Sequence, residues 1–124
     1  MIIDFEYALV APRGFDLANY FLEYAADYDS GHPDHQDYKN LPADSLRLDF
    51  LKAYLSPHDG PCTDVDGFLR EVESYEAAAH LHWAYWGIIQ AASKLDGFPG
   101  DFDYLFYAWQ RFQQFSQIIS KREQ

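Results

Sequence analysis

Residues 63–92, TDVDGFLREVESYEAAAHLHWAYWGIIQAA, decide the fold class of this chain. Val65, Phe68, Leu69, Val72, Tyr75 and Ala79 recur three or four residues apart, which places them along one side of a helix. Thr63 or Asp64 stands ahead of the pattern with a side-chain oxygen suited to an N-cap. From Leu81 to Ala92 the residues are apolar almost all round, which predicts a helix buried on several sides.

The flanking segments repeat the theme. Toward the C-terminus, Lys94 to Asp101 (KLDGFPGD) breaks the pattern. A last helix follows, expected to turn Leu105, Trp109, Phe112 and Ile119 inward and to carry Lys121 and Arg122 at its favourable C-terminal end. Toward the N-terminus, Asp44 or Ser45 can cap a helix running through Leu48, Leu51, Tyr54 and Leu55 to Ser56-Pro57. His58 to Pro61 reads as a loop, as does the polar stretch 29–43, rich in turn formers. Ala11-Pro12-Arg13-Gly14 reads as a turn, with Asp16 at the N-cap position before Leu17, Tyr20, Phe21, Tyr24 and Ala25. The other face of that helix carries Asp16, Asn19, Glu23 and Asp27. Ile2 and Ile3 read as the end of a buried strand. The pattern is one mainly α unit over 1–124 with a short N-terminal strand, without repeats or an interdomain linker.

Composition sets limits. The length suits one core, and 48% hydrophobic with 19% aromatic content is that of a folded chain. Twenty acidic residues against nine basic ones, a formal charge of −11, argue against a nucleic-acid partner and against anionic membranes. Cys62 is the only cysteine, so no intrachain disulfide can form and a reducing compartment fits. No apolar run is long enough to span a bilayer and no secretory signal opens the chain, so the expectation is a cytoplasmic protein without membrane insertion.

Several patterns admit a functional and a bland reading. Asp4 and Glu6, two apart in MIIDFEY, share one face of an extended chain, as ligands of a hard cation could. Equally, Asp4 caps a turn and Glu6 is solvated. Trp83 and Trp86, three apart, are neighbours on one helix face. They suit a cation held by π faces, and equally an ordinary core. His32 and His35 among Asp34 and Asp37 read as a solvated turn, and His58 beside Asp59 likewise. His80 and His82 point to different faces of a helix, unlike the i, i+4 pairs that bind zinc.

Longer strings shift these readings. IDFEYALVAPRGFDLANYFLEYAADY resembles the choline/ethanolamine kinase family at Asp4, Phe5, Glu6, Tyr7, Arg13, Gly14, Phe15, Asp16, Asn19, Phe21, Glu23, Asp27 and Tyr28. HWAYWGIIQAASKLDGFPGDFDYLFYAWQRFQQF resembles that family's W-x-x-W-x-I-x-Q-A helix and its closing F-x-Y-x-x-Y-A-x-x-R-F helix. The resemblance implies the C-terminal helical lobe of a protein-kinase-like (α+β) fold. It implies that Asp4 is a ligand of the Mg²⁺ that accompanies ATP, with Glu6 in support, and that Arg13 and Asp16 are structural, Asp16 by capping. Tyr7, Tyr28, Trp83, Trp86, Phe102 and Tyr107 would wall an ammonium pocket for choline or ethanolamine, and Glu23 would supply its negative charge. The small lobe, the phosphate loop and the catalytic loop of such a kinase would precede residue 4. The expectations are therefore no catalytic residue in this stretch, no kinase activity from it alone, and self-association through apolar surface that the rest of the lobe would cover.

Overall fold

A computed structural model describes residues 7–56, 64–93 and 102–124. The chain forms α1 (Arg13–Leu22), α2 (Asp44–Leu55), α3 (Val65–Ser74), α4 (Glu76–Ser93) and α5 (Tyr104–Arg122), with short 3-10 turns at Glu23–Ala25 and Tyr38–Asn40. Among the described residues there is no strand, only a single antiparallel bridge between Ala26 and Gln36. The expected strand at Ile2–Ile3 falls outside them.

The core lies where α1, α2 and α3 meet. Leu17, Ala18, Phe21, Leu51, Leu55, Phe68, Leu69 and Val72 form one buried cluster. Each large member removed from water contributes about 1.5–3 kcal/mol. Phe21 and Phe50 meet edge to face at 5.5 Å. α1 also packs on α4, and α4 with α5 makes a long helical hairpin. Polar ties join the parts. Arg47 of α2 bridges Glu76 at 2.5 Å and Glu73 at 3.4 Å, and Arg122 donates to the carbonyl oxygens of Glu73 and Ser74.

Four expectations need correction. The pattern over 63–92 is two helices, because the chain turns at Tyr75, the single residue between Ser74 and Glu76, and α4 there leaves the three-helix core. Asp64 does cap α3, accepting from the Gly67 N–H at 2.7 Å. Arg13 and Gly14 belong to α1 and not to a turn: the helix starts three residues before Asp16. Asp16 therefore lies in the first turn with no capping bond, where its charge favours the helix dipole. Gly14 is needed there, since a Cβ would stand 2.6 Å from the Tyr75 ring.

The other two corrections concern faces. α5 buries Tyr107, Ala108 and Arg111, whereas Leu105, Trp109 and Phe112 are half exposed or more. α4 buries the small residues Ala77, Ala79, Ala84 and Gly87 together with His80, and leaves Tyr85, Ile88 and Ile89 open. Small residues win the interface because they let two helix axes approach. A Cβ on Gly87 would come within 2.9 Å of both the Ala108 Cβ and the Tyr104 carbonyl oxygen. The displaced large residues line an apolar groove of about 300 Å³ on the outer side of the hairpin.

Candidate ammonium-binding site

The end of α1 and the two helices of the hairpin converge on a second cavity. Glu23, Tyr28, Trp83, Trp86, Phe102 and Tyr107 line about 170 Å³. Three separate chain segments supply these side chains: the 3-10 turn after α1 with the turn that follows it, the middle of α4, and the start of α5 with Phe102 just before it.

The aromatic walls meet one another edge-on. Trp83 and Trp86 lie at 5.5 Å and 74°, Trp86 and Tyr107 at 5.9 Å and 80°, and Phe102 and Tyr107 at 5.4 Å and 51°. Rings set in this way present π faces in several directions around one space, the arrangement that attracts a cation lacking hydrogen-bond donors. The cavity's carboxylate is that of Glu23, which accepts from the Tyr28 hydroxyl at 2.5 Å. Burial, and then this bond to Glu23, pushes the Tyr28 phenol well up. Burial likewise pushes the Tyr107 phenol up, to about 12. Both rings therefore stay neutral at physiological pH and add no negative charge to the cavity.

Polar bonds fix the indoles in place. Trp83 Nε1 donates to Asn19 Oδ1 at 2.5 Å, tying α4 to α1. Trp86 Nε1 donates to the Tyr7 hydroxyl at 3.0 Å. Tyr7 also meets the Trp83 ring at 6.1 Å, so it buttresses both tryptophans and is not among the residues that line the cavity. Two residues that sequence reasoning did not place in the site emerge here. Asn19 orients Trp83, and Tyr104 packs on Trp86 at 5.4 Å and on Phe102 at 4.6 Å. The family-like spacing had marked Asn19, but its bond to an indole 64 residues away is visible only in three dimensions.

A neighbouring open cleft of about 460 Å³ is bordered by Tyr7, Arg13, Asp16, Asn19, His82 and Trp83. Arg13 lies over the Phe68 ring at 4.2 Å and 3.8 Å from Glu71, so it ties α1 to α3. Asp4 and Glu6 lie outside the described residues, as do His58, Asp59 and Cys62. Among the described residues no group of three or more potential ligands could hold a metal ion, and no helix is long and apolar enough to cross a membrane. His32 and His35 stack on each other at 4.9 Å, and His35 lies 3.8 Å from Asp34. His80 is buried and His82 exposed, on different faces as expected.

Residues 1–116 match the profile of the choline/ethanolamine kinase family. A probable choline kinase 2 of Arabidopsis thaliana is 43% identical over 117 residues, which cover 92% of this chain and 32% of that protein. A probable ethanolamine kinase of the same plant is 38% identical over 120 residues, covering 94% and 29%. A choline/ethanolamine kinase of Homo sapiens is 35% identical over 130 residues, covering 94% and 31%. The chain thus spans about a third of the length of these curated relatives.

Proposed function

This chain belongs to the choline/ethanolamine kinase family, and from that premise we propose that its aromatic cavity holds the ammonium group of an amino alcohol. The segment is then the C-terminal, substrate-holding part of a kinase that transfers phosphate from ATP to choline, giving phosphocholine and ADP. One observation carries the reading. Glu23, Tyr28, Trp83, Trp86, Phe102 and Tyr107, far apart in sequence, line one small cavity.

The chemistry follows from what those groups offer. A trimethylammonium has no N–H to donate, so indole and phenol faces with one carboxylate suit it. Ethanolamine's NH₃⁺ would need several acceptors, and among the described residues lining this cavity Glu23 alone brings a carboxylate, already engaged by the Tyr28 hydroxyl. Choline is therefore the favoured ligand and ethanolamine the alternative. Magnesium with ATP belongs to the same reading, with Asp4 as ligand and Glu6 in support; a metal there would neutralise phosphate charge during transfer. The apolar groove on the hairpin supports a further part of it, self-association with a second copy of this chain.

The test is choline titration followed by tryptophan fluorescence. Binding to the unaltered chain is expected, weakened 10-fold or more in Trp86→Ala and in Glu23→Gln variants that keep their helical circular dichroism. Equal affinity in folded variants, or no choline binding at all, would sink the reading. Tighter binding of ethanolamine than of choline would move it to the alternative.

A further inference from the structure

Arg111 is 1% exposed on α5 and, among the described residues, makes no ion pair with a carboxylate. Its Nη1 donates to Gln36 Oε1 at 3.4 Å, its guanidinium lies 5.7 Å from the Tyr107 ring, and its Nε has no hydrogen-bond partner. Burying a charge against neutral groups is costly, and replacing such a group by an apolar one of similar size is often neutral or stabilising. Stability is thus a poor reason for an arginine here, and its contacts suggest another.

The preceding residue, Gln110, grips the same loop. Its Oε1 accepts from the Gln36 N–H at 3.0 Å and its Nε2 donates to the Asp34 carbonyl oxygen at 2.9 Å. Gln36 bridges Ala26, and the Asp37 N–H donates to the Ala25 carbonyl oxygen at 2.8 Å. Glu23 and Tyr28 flank that small junction. Two neighbouring side chains of α5 therefore hold the Asp34–Gln36 stretch, which is paired through Ala25 and Ala26 with the segment that carries Glu23 and Tyr28, while Tyr107, one turn earlier on α5, forms part of the aromatic side.

We propose that Gln110 and Arg111 act as a clasp that sets the Glu23–Tyr28 side of the cavity in register with Tyr107, making Arg111 a positioning residue for an ammonium ligand. The ligand half of this proposal rests on the cavity being an ammonium site; the clasp itself does not. Tyr38 and His80 pack around the same guanidinium. Their rings meet edge to face at 5.7 Å, and the Arg111 charge acts on both.

Arg111→Met, Arg111→Lys and Gln110→Ala variants of this chain test it by amide hydrogen exchange, thermal melting and choline titration. In Arg111→Met the melting temperature is expected to hold or rise, while exchange at Gln36 and Asp37 speeds up 10-fold or more and choline affinity falls 10-fold or more. Arg111→Lys, which keeps the charge without the fork, should recover part of both, and Gln110→Ala should reproduce the faster exchange. Unchanged exchange in Arg111→Met and Gln110→Ala overturns the clasp whatever choline does. Faster exchange with unchanged choline affinity overturns the positioning role. If the unaltered chain binds no choline, the ammonium reading and the ligand half fail together, and exchange alone still judges the clasp. Should Arg111→Met not fold, the other two variants decide.

Discussion

His80 shows how a single residue's surroundings overrule its intrinsic chemistry. Burial, reinforced by the nearby Arg111 charge, lowers its pKa from 6.5 to about 3. A folded pKa below the unfolded one means the stability is fully present above pH 6.5 and is lost as pH falls toward 3. Between pH 7 and pH 5 the loss attributable to His80 is about 2 kcal/mol. Glu76 acts in the opposite direction, since burial raises its folded pKa and favours the fold as pH falls. The difference between unaltered chain and His80→Gln removes that contribution. Urea melts at pH 7 and pH 5 should therefore show a pH-dependent gap of about this size between the two proteins. Parallel loss in both would mean that His80 titrates normally.

At the scale of elements, the hairpin of α4 and α5 depends on close approach at Gly87. A glycine inside a helix ordinarily costs about 1 kcal/mol relative to alanine, so its presence needs a packing reason. The Tyr104 carbonyl oxygen and the Ala108 Cβ provide one. Gly87→Val should lower stability by about 2 kcal/mol through overpacking. It should also weaken choline binding, because Trp86 and Tyr107 sit on either side of that approach. Denaturant melts check the first effect and tryptophan fluorescence titration the second. A Gly87→Val chain as stable as the original would show that the helices can separate at little cost.

For the whole molecule, the outer face of the hairpin is the unusual surface. Tyr85, Ile88, Ile89, Leu105, Trp109 and Phe112 are each about half exposed or more. With aromatic side chains offering about 150–250 Å² each when fully buried, and these about half exposed, one such face provides a few hundred Å². That is on the order of half the roughly 800 Å² per partner of a standard interface, so a dimer formed on it would be weak. The formal charge of −11 opposes association at long range. Self-association is therefore expected to grow with protein concentration and with salt, which screens that repulsion. Sedimentation velocity should show this, and Trp109→Lys should shift the equilibrium toward monomer. A chain that stays monomeric from low to high salt at every concentration would contradict it.

The sequence by itself determined the helical class and the α2 and α3 segments with their core residues, whereas which of the family-like positions share one cavity, with Tyr7 left outside it as a buttress, was decided by packing. Apolar residues at helical spacing, an Asp64 cap and family-like motifs are local signals, readable without neighbours. Which way the hairpin helices face was decided only in the tertiary structure. Periodicity identifies a stripe but not its partner. In α4 and α5 the stripe of large residues lost to the stripe of small ones, since only small side chains allow close helix contact. The break at Tyr75, the bond from Trp83 to Asn19 and the buried Arg111 have the same origin. Each depends on groups brought together from distant parts of the chain, and burial and charge at those points exist only once the helices have packed.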